Sequence, residues 1–551
     1  MINFTGIQEN FNFLITEVIG QANTTFTYLN TFEQHLFNMV VSRDDYIDNL
    51  KSTIENDCFS AMNCSGETNQ TAINLIRSTH IITVNLERIA DFSVNITRQV
   101  EFLFDRSLWL SFDFMKMCDI ISAGLNQVAP ATLNKNLGDA LRICKSEFDL
   151  DRLYKEHFDR IMVELRRGEN IETFITILFI FRYLERIGDS LLNIGEAILF
   201  AIMGEKIKIR QFEALQQTLT KSQLNLPIDK LHFHSFWGTR SGCNITKVCP
   251  ARLTGIKEGQ ESIFKTGNLA KIKKEKESIE KWGGIIPGLA PRIFSFHEDD
   301  EDNASLLIEF MSGQTMDEII LTADRDVFEN AIFHLEQILL QIWQKTKKPG
   351  ASEVNYMKQL LARLDAISRV HPEHIRNHKQ LGSLTIESTT ELVKKCHFVE
   401  RLLPAPFSVF IHGDFNMNNI LFDYETKHVH FIDLYRSRHT GLLQDISVIL
   451  ISNFRMPVFD PPIRQRIHYV IGSILSFARE FCEKEGDTTF DARLTLAMAR
   501  SFLTSTRFEL NAAFAKEMSL RANFLMKKII CFHEGKRPWR EFRLPEAILY
   551  Y

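Results

Sequence analysis

Residues 411–421 read IHGDFNMNNIL, and residues 432–434 read IDL. Asp414 and Asn419 stand five residues apart, between the apolar runs PFSVFI and ILF. Two strand-like segments would hold such a loop rigidly. A phosphoryl acceptor needs a carboxylate to orient its hydroxyl and take its proton, and a nearby amide oxygen can ligate magnesium. The HxDxxxxN pattern supplies both, and His412 is assigned to the catalytic group with Asp414. The run VHFI before Asp433 reads as a strand. At its end, Asp433 would bind the magnesium that bridges ATP phosphates. Asp423 falls in the intervening turn and would shape it.

Further parts lie upstream. Lys265, in SIFKTG, follows an apolar pair at the end of a candidate strand and would contact the nucleotide α/β phosphates. It needs an acidic partner from a following helix. Residues 271–282 (KIKKEKESIEKW) form that helix, with Glu275, Glu277 and Glu280 as candidates and Glu275 favoured by spacing. Residues 236–248 hold Gly238 and Gly242, a phosphate-covering hairpin short of a GxGxxG. Residues 306–313 (LLIEFMSG), with Glu309, read as the strand and hinge whose backbone would pair with adenine.

These motifs resemble the aminoglycoside phosphotransferase and choline kinase superfamily, over roughly residues 231–551. The resemblance implies a kinase-like fold that uses ATP and Mg²⁺. It implies Asp414 as base, Asn419 and Asp433 as metal ligands, and Lys265 on phosphate. Asp445, in GLLQDIS, resembles the family's later structural aspartate. The chain departs at Leu434-Tyr435, where many members carry Trp or Phe with Glu.

The first ~220 residues have another character. Pro130 is the only proline before Pro227, and apolar residues recur at helical spacing through 73–103 and 171–203. This half reads as long helices in a bundle. It contains a repeat: NLERIADFSVN at 85–95 and YLERIGDSLLN at 183–193. Glu87, Arg88, Asp91 and Asn95 recur as Glu185, Arg186, Asp189 and Asn193, each displaced by 98 residues. That period is too long for a solenoid unit and suits a duplicated bundle. Positions i and i+4 share one helix face, so Glu87, Asp91 and Asn95 make a polar ladder, as do their copies. Leu86, Ile89, Leu184 and Ile187 would face the core. Glu87 and Asp91, and Glu185 and Asp189, could hold a hard cation; the bland alternative is a charged face on which Arg88 and Arg186 pair with neighbouring acids.

LERIAD and LERIGD resemble the duplicated ERIGD signature of PhoU-type phosphate-signalling proteins, over about residues 11–215. The segments DYIDNL (45–50), DLDRLY (149–154) and IGEAILFAIMGEK (194–206) extend the match. The resemblance implies two three-helix bundles and a role in phosphate homeostasis. Some relatives bind metal clusters through such acids, so a further divalent or ferric metal is expected here. The first copy carries Ala90 where the second has Gly188.

The expected architecture is therefore multidomain. An all-α unit of duplicated three-helix bundles spans 1–218, with repeats near 1–110 and 111–218. A linker (219–230) leads to an α+β two-lobed, protein-kinase-like unit (231–551), strands first and helices after about Met316. The net charge of −5 and the absence of a basic tail give nucleic-acid binding no support. Nine scattered cysteines without a CxxC suit a reducing cytoplasm. The most apolar stretch, FITILFIFRYL, is interrupted by Arg182 and falls short of the about 20 residues a membrane span needs. The expected activity is ATP- and Mg-dependent phosphorylation of a hydroxyl on a small-molecule acceptor, tuned to phosphate status; a homo-oligomer is allowed. The second reading is an adaptor that binds a phosphate transporter or sensor kinase, with the kinase-like lobe as a nucleotide sensor. Antibiotic resistance ranks third, because residues 508–527 hold only Glu509 and Glu517 where an aminoglycoside pocket wants a dense acidic lining.

Overall fold

The computed structural model describes residues 4–64, 70–204, 209–221, 231–235, 244–250, 261–298 and 302–550. The chain divides into two compact units, Met1–Thr266 and Gly267–Tyr551.

The first unit is led by helices. These are α1 (Phe4–Thr31), α2 (Gln34–Cys64), α3 (Gln70–Val100), the short α4 (Arg106–Leu110), α5 (Met115–Leu133), α6 (Leu137–Arg167), α7 (Ile171–Met203) and α8 (Ile209–Lys221). Helices α1, α2 and α3 pack on one another, and α5, α6 and α7 do the same. The seam between these two bundles is α3 against α7. Leu86, Ile89, Leu184 and Ile187 are fully buried, as the periodicity predicts. Local chemistry sets the helix ends. Asn136 caps α6 by accepting from the Gly138 and Asp139 N–H groups, and Gly168 ends it at φ 79°. Gly204 closes α7 at φ 81°.

Close approach of α6 and α7 explains the glycines of the second copy. A methyl at Gly188 would meet Leu150 Cδ1 at 2.9 Å; Ala90, in the first copy, is buried without difficulty. At Gly195 it would strike the Cys144 sulfur and crowd the Ala140 carbonyl at 3.0 Å. After the helices, β1 (Leu231–Ser235), β2 (Asn244–Pro250) and β3 (Ser262–Asn268) pair antiparallel in sequence order. Gly238 and Gly242, the expected phosphate-covering turn, lie outside the described residues.

The second unit opens with α9 (Leu269–Ile285), where the sequence predicts a helix over 271–282. It packs on the hairpin of β4 (Ile293–Glu298) and β5 (Asn303–Glu309). Then come β6 (Gln314–Thr315), α10 (Met316–Thr322), α11 (Arg325–Thr346), β7 (Lys348–Ser352), α12 (Tyr356–Leu361) and α13 (Leu364–Val370). A small hairpin, β8 (Lys379–Leu381) and β9 (Leu384–Ile386), precedes α14 (Thr389–Arg401). Strand β10 (Ala405–Ile411) pairs with β7 and with β13 (Arg438–Thr440). Strand β11 (Ile420–Asp423) pairs with β6 and β12 (His428–Phe431). Helices α15 (Leu443–Phe454), α16 (Pro461–Lys484), α17 (Phe490–Ser505) and α18 (Ala512–Glu534) complete a mostly helical body. The switch to helices at Met316 falls where the sequence places it. Among the described residues, no helix is long and apolar enough to cross a membrane.

Gly195→Ala is expected to cost about 1–3 kcal/mol by overpacking α6 against α7. A lower urea midpoint for the helical signal checks it; an unchanged midpoint would show that the interface has room.

Candidate phosphotransfer site

Strand β10 is buried along most of its length and delivers the chain to His412. There the backbone turns sharply. Gly413 adopts φ 86°, and a methyl on it would run into the Arg436 carbonyl, so a residue without Cβ is required. The N–H groups of His412 and Gly413 donate to Asp445 Oδ2 and Oδ1 at 2.7 and 2.8 Å. Asp445 sits in the first turn of α15, and burial pushes its carboxyl up to about 7 against the pull of those two N–H groups.

His412 is itself buried. Its Nε2 bonds the Ile432 carbonyl at 2.9 Å, and its Nδ1 accepts the Asp414 N–H at 3.3 Å. A carbonyl can only accept, so Nε2 carries the proton. Desolvation holds the ring below the usual histidine range. With both nitrogens spent on main chain, His412 positions the loop. Its ring also packs on Phe415 and Phe431.

Asp414 holds Arg436 Nη1 at 2.9 Å through Oδ2 and the Asn416 amide at 2.8 Å through Oδ1. Its carbonyl accepts from the Asn416 N–H at 2.7 Å and from Asn419 Nδ2 at 2.9 Å. That last bond orients the Asn419 amide, since its NH₂ must face the carbonyl; Oδ1 is turned away from it. The Asn419 carbonyl accepts the Ile432 N–H at 3.1 Å. The loop and the end of β12 are thus stitched together, bringing Asn419 beside the segment that carries Asp433. Asp433 has φ 61° and ψ 54°, a left-handed conformation that aspartate tolerates better than most residues. Asp423 shapes the hairpin turn, accepting from the Glu425 and Thr426 N–H groups.

The remaining residues fall elsewhere. Lys265 lies in β3 and Glu275 in α9, and both are buried, at 5% and 1% exposure. A charge held away from water requires compensation, which marks both positions as more than surface charge. Helix α9 is tied to the loop: Trp282 Nε1 donates to Ser437 Oγ at 2.8 Å, and Ser437 donates to the His412 carbonyl at 3.2 Å. Glu309 ends β5 with its carboxylate forked on Arg292 at 2.9 and 3.1 Å. Its N–H donates to the Arg292 carbonyl.

Sequence reasoning missed the arginines. Arg500 is buried, over the Tyr356 ring, with Nη2 on Ser447; burial lowers it to about 10. Arg507 is lowered by burial and then by the positive charges of Arg363 and Arg436, with Asp414 opposing. Arg438 stands opposite Ile411 in the β10–β13 register. Among the described residues, Arg363, Arg438 and Arg507 have no carboxylate within ion-pair distance. The run IDLYRSR carried the signal for Arg436 and Arg438; Arg363 and Arg507 arrive from distant segments.

In the helical unit the four repeated acids do not converge on one point. Glu87 pairs with Lys51 at 2.9 Å, Glu185 with Arg182 at 2.7 Å and Asp189 with Arg186 at 3.6 Å. Asp91 faces Asp44 and Asp48 of α2; burial first, then those acids, raise its carboxyl. Most of these acids therefore have cationic side chains as partners, the alternative to a cation held by Glu87 and Asp91 or by Glu185 and Asp189. The α3–α7 seam instead holds a pocket of about 190 Å³ lined by Arg88, Arg186, Asp189 and Asn193 among others.

Comparison with known proteins matches both units. A PhoU domain model fits residues 14–100 and 114–198, and an ecdysteroid kinase-like family model fits residues 327–465. A phosphate-specific transport system accessory protein PhoU homolog of Clostridium acetobutylicum is 24% identical over 179 residues, 32% of this chain and 82% of the relative. A Thermotoga maritima homolog is 28% identical over 207 residues, 36% of this chain and 84% of that protein. Among solved structures, PhoU from Pseudomonas aeruginosa aligns with 36% of this chain and 97% of its own, at 20% identity and TM-score 0.34. A thermostable mutant of aminoglycoside phosphotransferase APH(4)-Ia aligns with 55% of this chain and 95% of its own, at 12% identity and TM-score 0.35.

Asp445→Asn sets an NH₂ group against one of the two loop N–H groups. The stranded donor is expected to cost about 1–3 kcal/mol and to speed hydrogen exchange at His412 and Gly413. Wild-type exchange at both amides would show that Asp445 does not hold the loop.

Proposed function

Because this chain joins a repeated PhoU domain to an ecdysteroid kinase-like domain, we propose that it is an ATP-dependent phosphotransferase whose helical unit answers to phosphate status. The observation that carries the reading is the stitched loop: the segments of Asp414, Asn419 and Asp433 are tied together by hydrogen bonds to main-chain carbonyls. Asp414 orients the acceptor hydroxyl and takes its proton as the oxygen attacks the γ-phosphorus, and ADP departs. The ion pair with Arg436 holds that carboxylate in place. Asn419 Oδ1 and the Asp433 carboxylate are the hard oxygen donors magnesium prefers. Bound there, the metal would neutralise charge on the transferring phosphate. The strand ending at Glu309 would offer backbone to adenine. Positioning and charge neutralisation supply most of the rate.

The arginines favour one class of acceptor. Arg507 feels the charges of Arg363, Arg436 and Asp414, Arg438 stands opposite Ile411, and among the described residues Arg363, Arg438 and Arg507 have no ion pair. A polycationic aminoglycoside would be repelled there, and a hydroxylated small molecule bearing a phosphate or carboxylate would be held. The helical unit's phosphate-transporter or sensor-kinase partner, and a cytoplasmic setting, complete the proposal.

Asp414→Asn should lower ATP-dependent turnover by about 10²–10⁴-fold while ATP still binds. Unchanged turnover across acceptors would end the assignment.

For the acceptor, Arg363→Gln and Arg507→Gln should each raise KM for anionic acceptors about 10–100-fold, the worth of a charged hydrogen bond, and spare KM for ATP. Preference for neutral or cationic acceptors would overturn the charge argument and leave the kinase reading intact.

A further inference from the structure

The second unit holds a side-chain cluster that phosphoryl transfer does not use. Helix α13 ends at His371, and Pro372 starts a single 3₁₀ turn through His374. The run HPEH gathers three ligand atoms. His371 Nδ1 lies 3.4 Å from Glu373 Oε1, and His374 Nε2 lies 3.5 Å from the same oxygen. All three atoms fall within 4.8 Å of one another. The two rings stack at 4.7 Å with 21° between planes.

One proton of this cluster can be assigned. His371 Nε2 lies 2.7 Å from the Glu509 carbonyl, which can only accept, so the proton sits on Nε2. In the neutral ring, Nδ1 then turns a lone pair toward the Glu373 carboxylate. His374 is 4% exposed, and neither of its ring nitrogens makes a hydrogen bond. Two stacked imidazolium cations would repel each other, which favours neutral rings. Two imidazole nitrogens and one carboxylate oxygen therefore gather within 4.8 Å of one another.

We infer that His371, Glu373 and His374 bind a zinc-class divalent cation. Metal–ligand bonds of about 2.0–2.1 Å put tetrahedral donors about 3.3–3.4 Å apart, close to the two histidine-to-Glu373 spacings. Two imidazoles and a carboxylate suit zinc better than magnesium. The bond from Nε2 to a main-chain carbonyl is the outer contact that metal-bound histidines usually make. Glu373 is the exposed member and leaves the fourth position to water. The site would clamp the end of α13 to the chain at Glu509, between the segments that carry Arg363 and Arg507. It stands independently of the kinase reading.

The test uses the full chain, stripped with chelator and titrated with Zn²⁺ and with Co²⁺. One tight equivalent of zinc is expected, with tetrahedral Co²⁺ visible bands that a six-oxygen magnesium site does not give. His374→Gln should abolish that equivalent, and the surface change Glu373→Gln should weaken it at least tenfold with unchanged circular dichroism. No zinc above background in the wild type, or zinc retained in both variants, would overturn the inference. Either result stands whether or not ATP is turned over.

Discussion

A carboxylate cut off from water organises the second unit. Asp445 accepts the N–H groups of two consecutive residues, His412 and Gly413, and so fixes the one point where β10 must stop being a strand. Everything else at the site is measured from that turn. Burying a carboxylate is expensive, and two N–H donors offset only part of the cost. The return is a loop whose remaining bonds fall into place as main-chain geometry. His412 reaches the Ile432 carbonyl, Asn419 the Asp414 carbonyl, and the Ile432 N–H the Asn419 carbonyl. The side chains that would do chemistry are not asked to hold the loop's shape alone.

This division explains what could be read from sequence. The spacing from His412 to Asn419, and on to Asp433, is local, because a short hairpin connects all three. The helix carrying Glu275 and the change to helices at Met316 are equally local, being matters of periodicity. The charge environment of Asp414 is not local. Arg363, Arg500 and Arg507 come from three helical segments, and no pattern in the chain says that their side chains gather near one loop. His412 shows a subtler limit. Sequence pairs it with Asp414 in catalysis, whereas its burial and its two main-chain partners make it a positioning residue.

The helical unit shows the same boundary. Long amphipathic helices and their duplication were legible, and the buried faces follow the periodicity. Ion pairing was not. Repetition of Glu, Arg, Asp and Asn invites a shared ligand, yet Lys51 and Arg182 reach Glu87 and Glu185 from positions no repeat marks. The glycine of LERIGD, against alanine in LERIAD, has a plain steric cause in Leu150.

That seam also records history. Asn193 donates to Asn85 across α3 and α7 at 3.2 Å. The mirrored positions, 98 residues away, are Asn95 and Tyr183, which cannot repeat an amide-to-amide bond. Tyr183 instead lies against the Phe92 ring. In a dimer of identical subunits, every mutation strikes both halves of an interface at once, and such a divergence is forbidden. Two copies carried in one chain are under no such restriction. Each half of the seam is free to differ alone, and the surface has a distinguishable left and right.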